Sequence, residues 1–168
     1  MESLITDNKT ITLLLATLFT GLLAGVFFTW SNAITPGIGR LYTLSYLRAF
    51  QEMNRTILNP LFFLVIFGAM FFSFATAYFH KSNTVLFWLF LSAAVIYFIG
   101  VFLLTIMGNV PLNEMLNKTD LLTISLEDAN VLREKFEAKW NTLHLIRTIV
   151  AVISFLLLII GCLLKNKV

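Results

Sequence analysis

Trp140-Asn141-Thr142-Leu143-His144-Leu145-Ile146-Arg147 leads straight into a run over 148–164 that carries no charged residue. Helical spacing of three and four residues sets Glu137, Trp140, His144 and Arg147 along one face, so a carboxylate, an indole, an imidazole and a guanidinium share one stripe. That stripe enters an apolar helix. An arginine placed inside a spanning helix costs a few kcal/mol on insertion scales, and such residues face a bundle interior or a wet cavity. The other hydrophobic segments are therefore read as walls around it.

The composition agrees. Of the 168 residues 58% are hydrophobic and 12% charged, with a mean hydropathy of +0.86, against about half and a quarter in soluble domains. Four spans of about 20 residues are expected, over 10–30, 57–79, 84–107 and 142–164, in a single membrane domain. The fold class is all-α: a polytopic four-transmembrane-helix bundle with an amphipathic helix in the first loop and a water-exposed helical extension before span 4. Lys9, Lys81, Lys165 and Lys167 fall near span ends, where headgroup anchors belong. Residues 1–9 lack the basic region of a signal peptide, so the first span is expected to be retained. No basic patch with interleaved aromatics marks a nucleic-acid surface. Cys162 is the only cysteine, which leaves no disulfide within the chain.

In chain order, Gly21 and Gly25 form a small-xxx-small pair in span 1, suited to close helix approach inside the bundle or to self-association. Trp30 falls where an interfacial aromatic belongs. Pro36-Gly37 reads as a turn. From residue 41 to 58, Leu44, Leu47, Phe50, Met53 and Ile57 form an apolar face, with Arg48, Gln51, Glu52 and Arg55 largely opposite. This is an interfacial helix or, with Arg48, Gln51 and Asn54 turned inward, a lid. Asn59-Pro60 opens span 2, and His80-Lys-Ser-Asn83 closes a helical hairpin with His80 on its surface. Tyr97, Thr105 and Asn109 give span 3 a semi-polar stripe. Gly108-Asn109-Val110-Pro111 is expected to end that helix. Ser125-Leu-Glu-Asp128 resembles a capping box ahead of a helix that runs on into span 4.

The polar residues at membrane depth gather at the loop-side end of the bundle. A pocket there takes Trp30, Gln51, Asn54, Asn59, Asn113, Trp140 and Tyr97 as ligand-binding residues, with His144, Arg147 and Asn109 as the candidate catalytic set. A neutral His144 would act as base while Arg147 and the amides hold the resulting anion. With two histidines on opposite sides, no metal is expected; no serine triad, phosphate loop or dinucleotide fingerprint is present.

The ordered set Gly25-Val-Phe-Phe-Thr-Trp-Ser-Asn32, Pro36, Phe50-Gln-Glu-Met-Asn54-Arg-Thr-Ile-Leu-Asn59-Pro60, Gly108-Asn-Val-Pro-Leu-Asn113, Phe136-Glu-Ala-Lys-Trp140 and Arg147 resembles the anthrone oxygenase-like family of integral membrane proteins. The resemblance implies oxidation of a lipophilic phenolic or quinol substrate with dioxygen as co-substrate and no cofactor, in a bacterial inner membrane. Many relatives carry Asn at the position of His144, so the resemblance weights Asn109, Asn113, Trp140 and Arg147. The expected partners are membrane lipid and a small lipophilic aromatic ligand, with no nucleic acid. A non-enzymatic lipophile carrier, or a structural subunit joined through Gly21 and Gly25, would use the same features differently.

Overall fold

The computed structural model describes residues 7–165. Lys167, expected as an anchor, lies outside them. The described residues form helices and connections without strands, and four helical stretches are long and apolar enough to cross a membrane: Asn8–Ile38, Pro60–Phe79, Thr84–Asn117 and Leu126–Lys165. The chain is an integral membrane protein.

The first stretch comprises α1 (Asn8–Thr29), a π-helical segment Trp30–Ile34 and α2 (Thr35–Ile38). Asp7 caps its start by accepting from the Lys9 N–H. Helix α3 (Thr43–Ile57) lies across the loop side. Helix α4 (Pro60–Phe79) is capped by Asn59 and α5 (Thr84–Tyr97) by Asn83; each amide oxygen accepts the main-chain N–H three residues on, satisfying donors that the helix itself leaves free. Two π-helical segments, Phe98–Leu103 and Thr105–Asn109, join α5 to α6 (Val110–Asn117). Helix α7 (Leu126–Lys165) has 40 residues, about 60 Å at about 1.5 Å per residue, so it crosses the bilayer and stands well clear of it. Ser125 accepts from the Asp128 N–H and donates to its carboxylate at the start of α7, as the capping pattern predicts.

Two expected breaks are not breaks. Pro36 is the second residue of α2 and Pro111 the second of α6, and each follows a π-helical segment. Proline lacks an N–H and crowds the carbonyl four residues back; a π turn widens the helix and moves the acceptor by one residue, so both demands are met without ending it. The first turn comes instead at Gly39, whose N–H reaches the Thr35 carbonyl.

Three apolar layers stack along the bundle. Leu13, Ala16, Ala77, Leu86, Phe90, Ala93 and Leu158 fill the terminal side, and Leu23, Phe27, Val65, Ile66, Ala69, Tyr97 and Val101 the middle. Tyr46, Leu47, Phe50, Leu112, Leu116, Phe136 and Trp140 fill the loop side. Helix α3 therefore buries Tyr46, Leu47, Phe50, Gln51 and Asn54, while Arg48 stays exposed. This is the lid arrangement for the two amides but not for Arg48, because α3 packs on protein rather than lying on lipid. Gly21 packs within the bundle: a Cβ there would come within 2.7 Å of Phe155 on α7. His80 is buried, contrary to its expected surface place, because its ring folds back onto the Thr76 carbonyl and packs against Phe90.

Candidate functional site

Where the middle and loop-side layers meet, a cavity of about 80 Å³ is lined by residues of α1, α3, α4, α6 and α7 and of both π-helical neighbourhoods, Arg147 and His144 among them. Arg147 is 5% exposed. Its Nη1 donates to Thr105 Oγ1 at 3.0 Å and its Nη2 to His144 Nδ1 at 2.9 Å, while Nε has no partner within the protein. Thr105 passes its own proton to the Val101 carbonyl. Among the described residues the ion pairs are Arg55–Glu52, Lys118–Glu114 and Arg133–Glu137, so none neutralises Arg147. The guanidinium instead lies over the rings of Phe27 and Trp140, 4.9 and 5.7 Å from their centroids, contacts that recover part of its desolvation cost.

This geometry fixes the histidine tautomer. A guanidinium only donates, so Nδ1 of His144 accepts; the Phe27 carbonyl only accepts, so Nε2 carries the proton across its 3.1 Å contact. Phe27 lies just before the π-helical segment of span 1, and its carbonyl also accepts the Trp30 main-chain N–H. The imidazole stacks on Trp140 with centroids 4.8 Å apart, and Trp30 closes the group 5.7 Å from Trp140 and 6.2 Å from His144. One side of Trp30 thus packs on the aromatic layer. Glu137, at the far end of the stripe, bonds Arg133 at 2.7 Å and does not reach the cavity group.

Of the ten residues singled out from sequence, Trp30, Asn54, Asn113, Trp140, His144 and Arg147 line this cavity. Asn113 accepts from the Trp140 indole at 2.7 Å, setting the ring's orientation, and Asn54 keeps its Nδ2 unpartnered although buried. The other four are held elsewhere. Asn109, 1% exposed, donates to the Trp140 carbonyl and ties span 3 to span 4. Gln51 donates to the Leu116 and Thr119 carbonyls, pinning the lid. Asn59 is the cap of α4, and Tyr97 donates to the Ile66 carbonyl in the middle layer. Sequence reasoning did not select Phe27 or Thr105 for the site. Thr105 stood in the semi-polar stripe of span 3 and could have been found there; the Phe27 contact is made by a main-chain carbonyl, which no side-chain pattern announces.

Chemically, the cavity offers a buried cation without a counter-ion, two unpartnered donors on Arg147 and Asn54, and an oriented neutral imidazole. This set suits an electron-rich oxygen or an organic anion. Among the described residues no three His, Cys, Asp or Glu side chains are grouped to hold a metal ion. At about 80 Å³ the cavity admits two or three waters or the reacting edge of a larger molecule, whereas ligand pockets measure about 300–1,000 Å³.

A family model described as anthrone oxygenase matches residues 50–157, more than half of the chain. The matched stretch takes in Asn54, Thr105, Asn113, Trp140, His144 and Arg147 and leaves out α1 with Phe27 and the π-helical segment with Trp30. No curated protein and no solved structure matches the chain.

Proposed function

The chain belongs to the anthrone oxygenase family, and on that premise we propose that it oxidises a lipophilic phenol or quinol of the anthrone type at this cavity, using dioxygen and no resident cofactor, within a bacterial inner membrane. The observation that carries the reading is Arg147, a buried guanidinium without a carboxylate, beside an unfilled space. Leaving such a charge unpaired is costly by several kcal/mol, and an anionic substrate oxygen would supply the missing partner.

In this reading the ketone oxygen of the substrate, which becomes the enolate oxygen, takes the unpartnered donors of Arg147 and Asn54. As Nη2 of Arg147 swings to that oxygen it leaves Nδ1 of His144, whose freed lone pair then accepts the proton from the ring carbon. The Nε2 proton stays on the Phe27 carbonyl and holds the ring in place. The enolate so formed adds through that carbon to dioxygen, the imidazolium returns its proton to give a carbon-bound hydroperoxide, and loss of the carbon's second proton with cleavage of the O–O bond releases water, so a methylene becomes a ketone at the expense of one O₂. Burial strengthens each of these contacts because little water competes.

The engagement of both ring nitrogens of His144 favours a second reading, a binder that holds the same ligand without transforming it. Incubating the protein in lipid nanodiscs with anthrone and measuring oxygen uptake against anthraquinone formation separates the two. Equimolar consumption and formation, lost in Arg147→Met, supports the oxygenase; retention of bound anthrone with no product supports the binder and sinks the oxygenase.

A further inference from the structure

The cavity is too small for a tricyclic molecule, and much of its loop side is closed by packing. Gln51 pins α3 to the chain at Leu116 and Thr119. Arg133 clamps the Gly39 and Leu41 carbonyls to α7. Phe50, Phe136 and Trp140 pack edge to face beneath them. Away from an opening of about 300 Å³ beside Ser31, Glu137, Asn141 and His144, which lacks the Arg147 and Asn54 donors, a ligand arriving from the loop side would have to break this cap.

The membrane side differs. Along the outer face of α1 runs a groove of about 870 Å³ whose lining includes Leu18, Leu22, Gly25, Thr29 and Phe155. The space at Gly25 is open: a Cβ built there meets nothing within 4 Å. Thr29 keeps the groove apolar by turning its hydroxyl onto the Gly25 carbonyl at 2.9 Å. Val26 and Trp30 line both this groove and the Arg147 cavity, so the two spaces share a common wall made of those side chains.

We propose that this groove is the lateral portal through which the lipophilic aromatic substrate leaves the bilayer, with Trp30 as its door: outward rotation of the indole opens the way from groove to cavity, and the space the indole vacates extends the cavity to take the ligand's remaining rings. The proposal rests on the reading of the cavity given above and adds the route and the gating residue. The path is chemically matched to its cargo, apolar through its length and polar only at its end, where Arg147 and Asn54 wait. The door is also coupled to the site, because the indole that moves is the one packed against Trp140 and His144.

The test is the kinetics of anthrone binding to the full chain in nanodiscs, under nitrogen so that no turnover occurs. Gly25→Leu fits the open space and fills the groove without touching the bound ligand. It should lower the association and dissociation rates together, each by about tenfold, and leave Kd unchanged. Trp30→Ala should raise both rates. Gly25→Leu with unaltered rates overturns the portal, as does a change in Kd alone, which would make the groove part of the seat. Slowing by Leu58→Trp in place of Gly25→Leu moves the entrance to the break between α3 and α4 and equally overturns it. Failure of the unmodified protein to bind anthrone overturns the portal together with the reading beneath it, whereas binding with unmoved rates overturns the portal alone.

Discussion

His144 and His80 sit at opposite ends of the bundle in nearly the same local state. Each is 3% exposed. Each places a ring nitrogen on a main-chain carbonyl, at 3.1 Å from Phe27 and 2.8 Å from Thr76, and each has an aromatic centroid 4.8 Å from its own. What differs is the surroundings. His144 shares its second nitrogen with a guanidinium that has no counter-ion, beside a cavity. His80 leaves its second nitrogen unpartnered and lies against Phe90, whose ring approaches α7 so closely that a Cβ on Gly161 would overlap it. Burial of a histidine therefore says little by itself; an uncompensated charge next to empty space is what separates a working end from a packed one.

The sharpest way to break this contrast is to remove the charge. Arg147→Met should reduce anthraquinone formation by about 10²- to 10³-fold, the usual cost of losing a donor to a developing anion, while His80→Leu at the other end should leave turnover unchanged. Arg147→Met should not lower thermal stability, since an unpaired buried cation is replaced by an apolar chain of similar reach. A variant that loses activity only in proportion to its loss of folded protein would erase the distinction between the two ends.

Packing makes the converse prediction. Gly161→Leu drives a side chain into Phe90 and should destabilise the terminal-side layer by about 1–3 kcal/mol, read as a lower unfolding temperature in nanodiscs. The turnover of the molecules that remain folded should stay the same. Tyr97→Phe removes one interhelical hydrogen bond, to the Ile66 carbonyl, and should cost about 0.6–1.7 kcal/mol with turnover per folded molecule again unchanged. A selective loss of turnover in Tyr97→Phe would extend the working region into the middle layer.

The same contrast explains what could be read from the residues. Spans 2 and 4 were legible because apolar length alone reports them, and the stripe from Trp140 to Arg147 was legible because a charge in such a helix has few tolerable places. Pro36 and Pro111 misled because the usual rule assumes α-helical register, and the π turns before them remove the conflict. Asn59 and Asn109 were singled out as site residues, yet Asn59 caps α4 and Asn109 bonds the Trp140 carbonyl: a polar residue at a helix end serves main-chain groups as readily as a ligand. Telling Asn54 from Asn59 requires knowing which of the two lost its backbone partners when α3 folded over the bundle, and that is a property of tertiary packing.

Acid should touch the two ends differently, and His80 provides the smallest and most specific test. Burial, with Lys165 and Lys9 nearby, holds its imidazole below the ordinary value; the bond to the Thr76 carbonyl and the charge of Asp7 oppose this only in part. Above the ordinary imidazole range both folded and unfolded chains carry His80 neutral, and its burial costs nothing that depends on pH. As pH falls through that range the unfolded chain takes up a proton that the folded chain still refuses, so stability declines until the lowered folded value is reached and then levels off. His80→Leu abolishes this contribution. The unfolding temperatures of the two proteins, measured in parallel from neutral to mildly acidic pH, should therefore converge or cross as the unmodified chain loses ground. All other titrating groups, His144 included, are common to both chains, so a gap that stays constant with pH would mean that His80 is free to take its proton in the folded bundle and that the terminal side is less tightly closed than its packing implies.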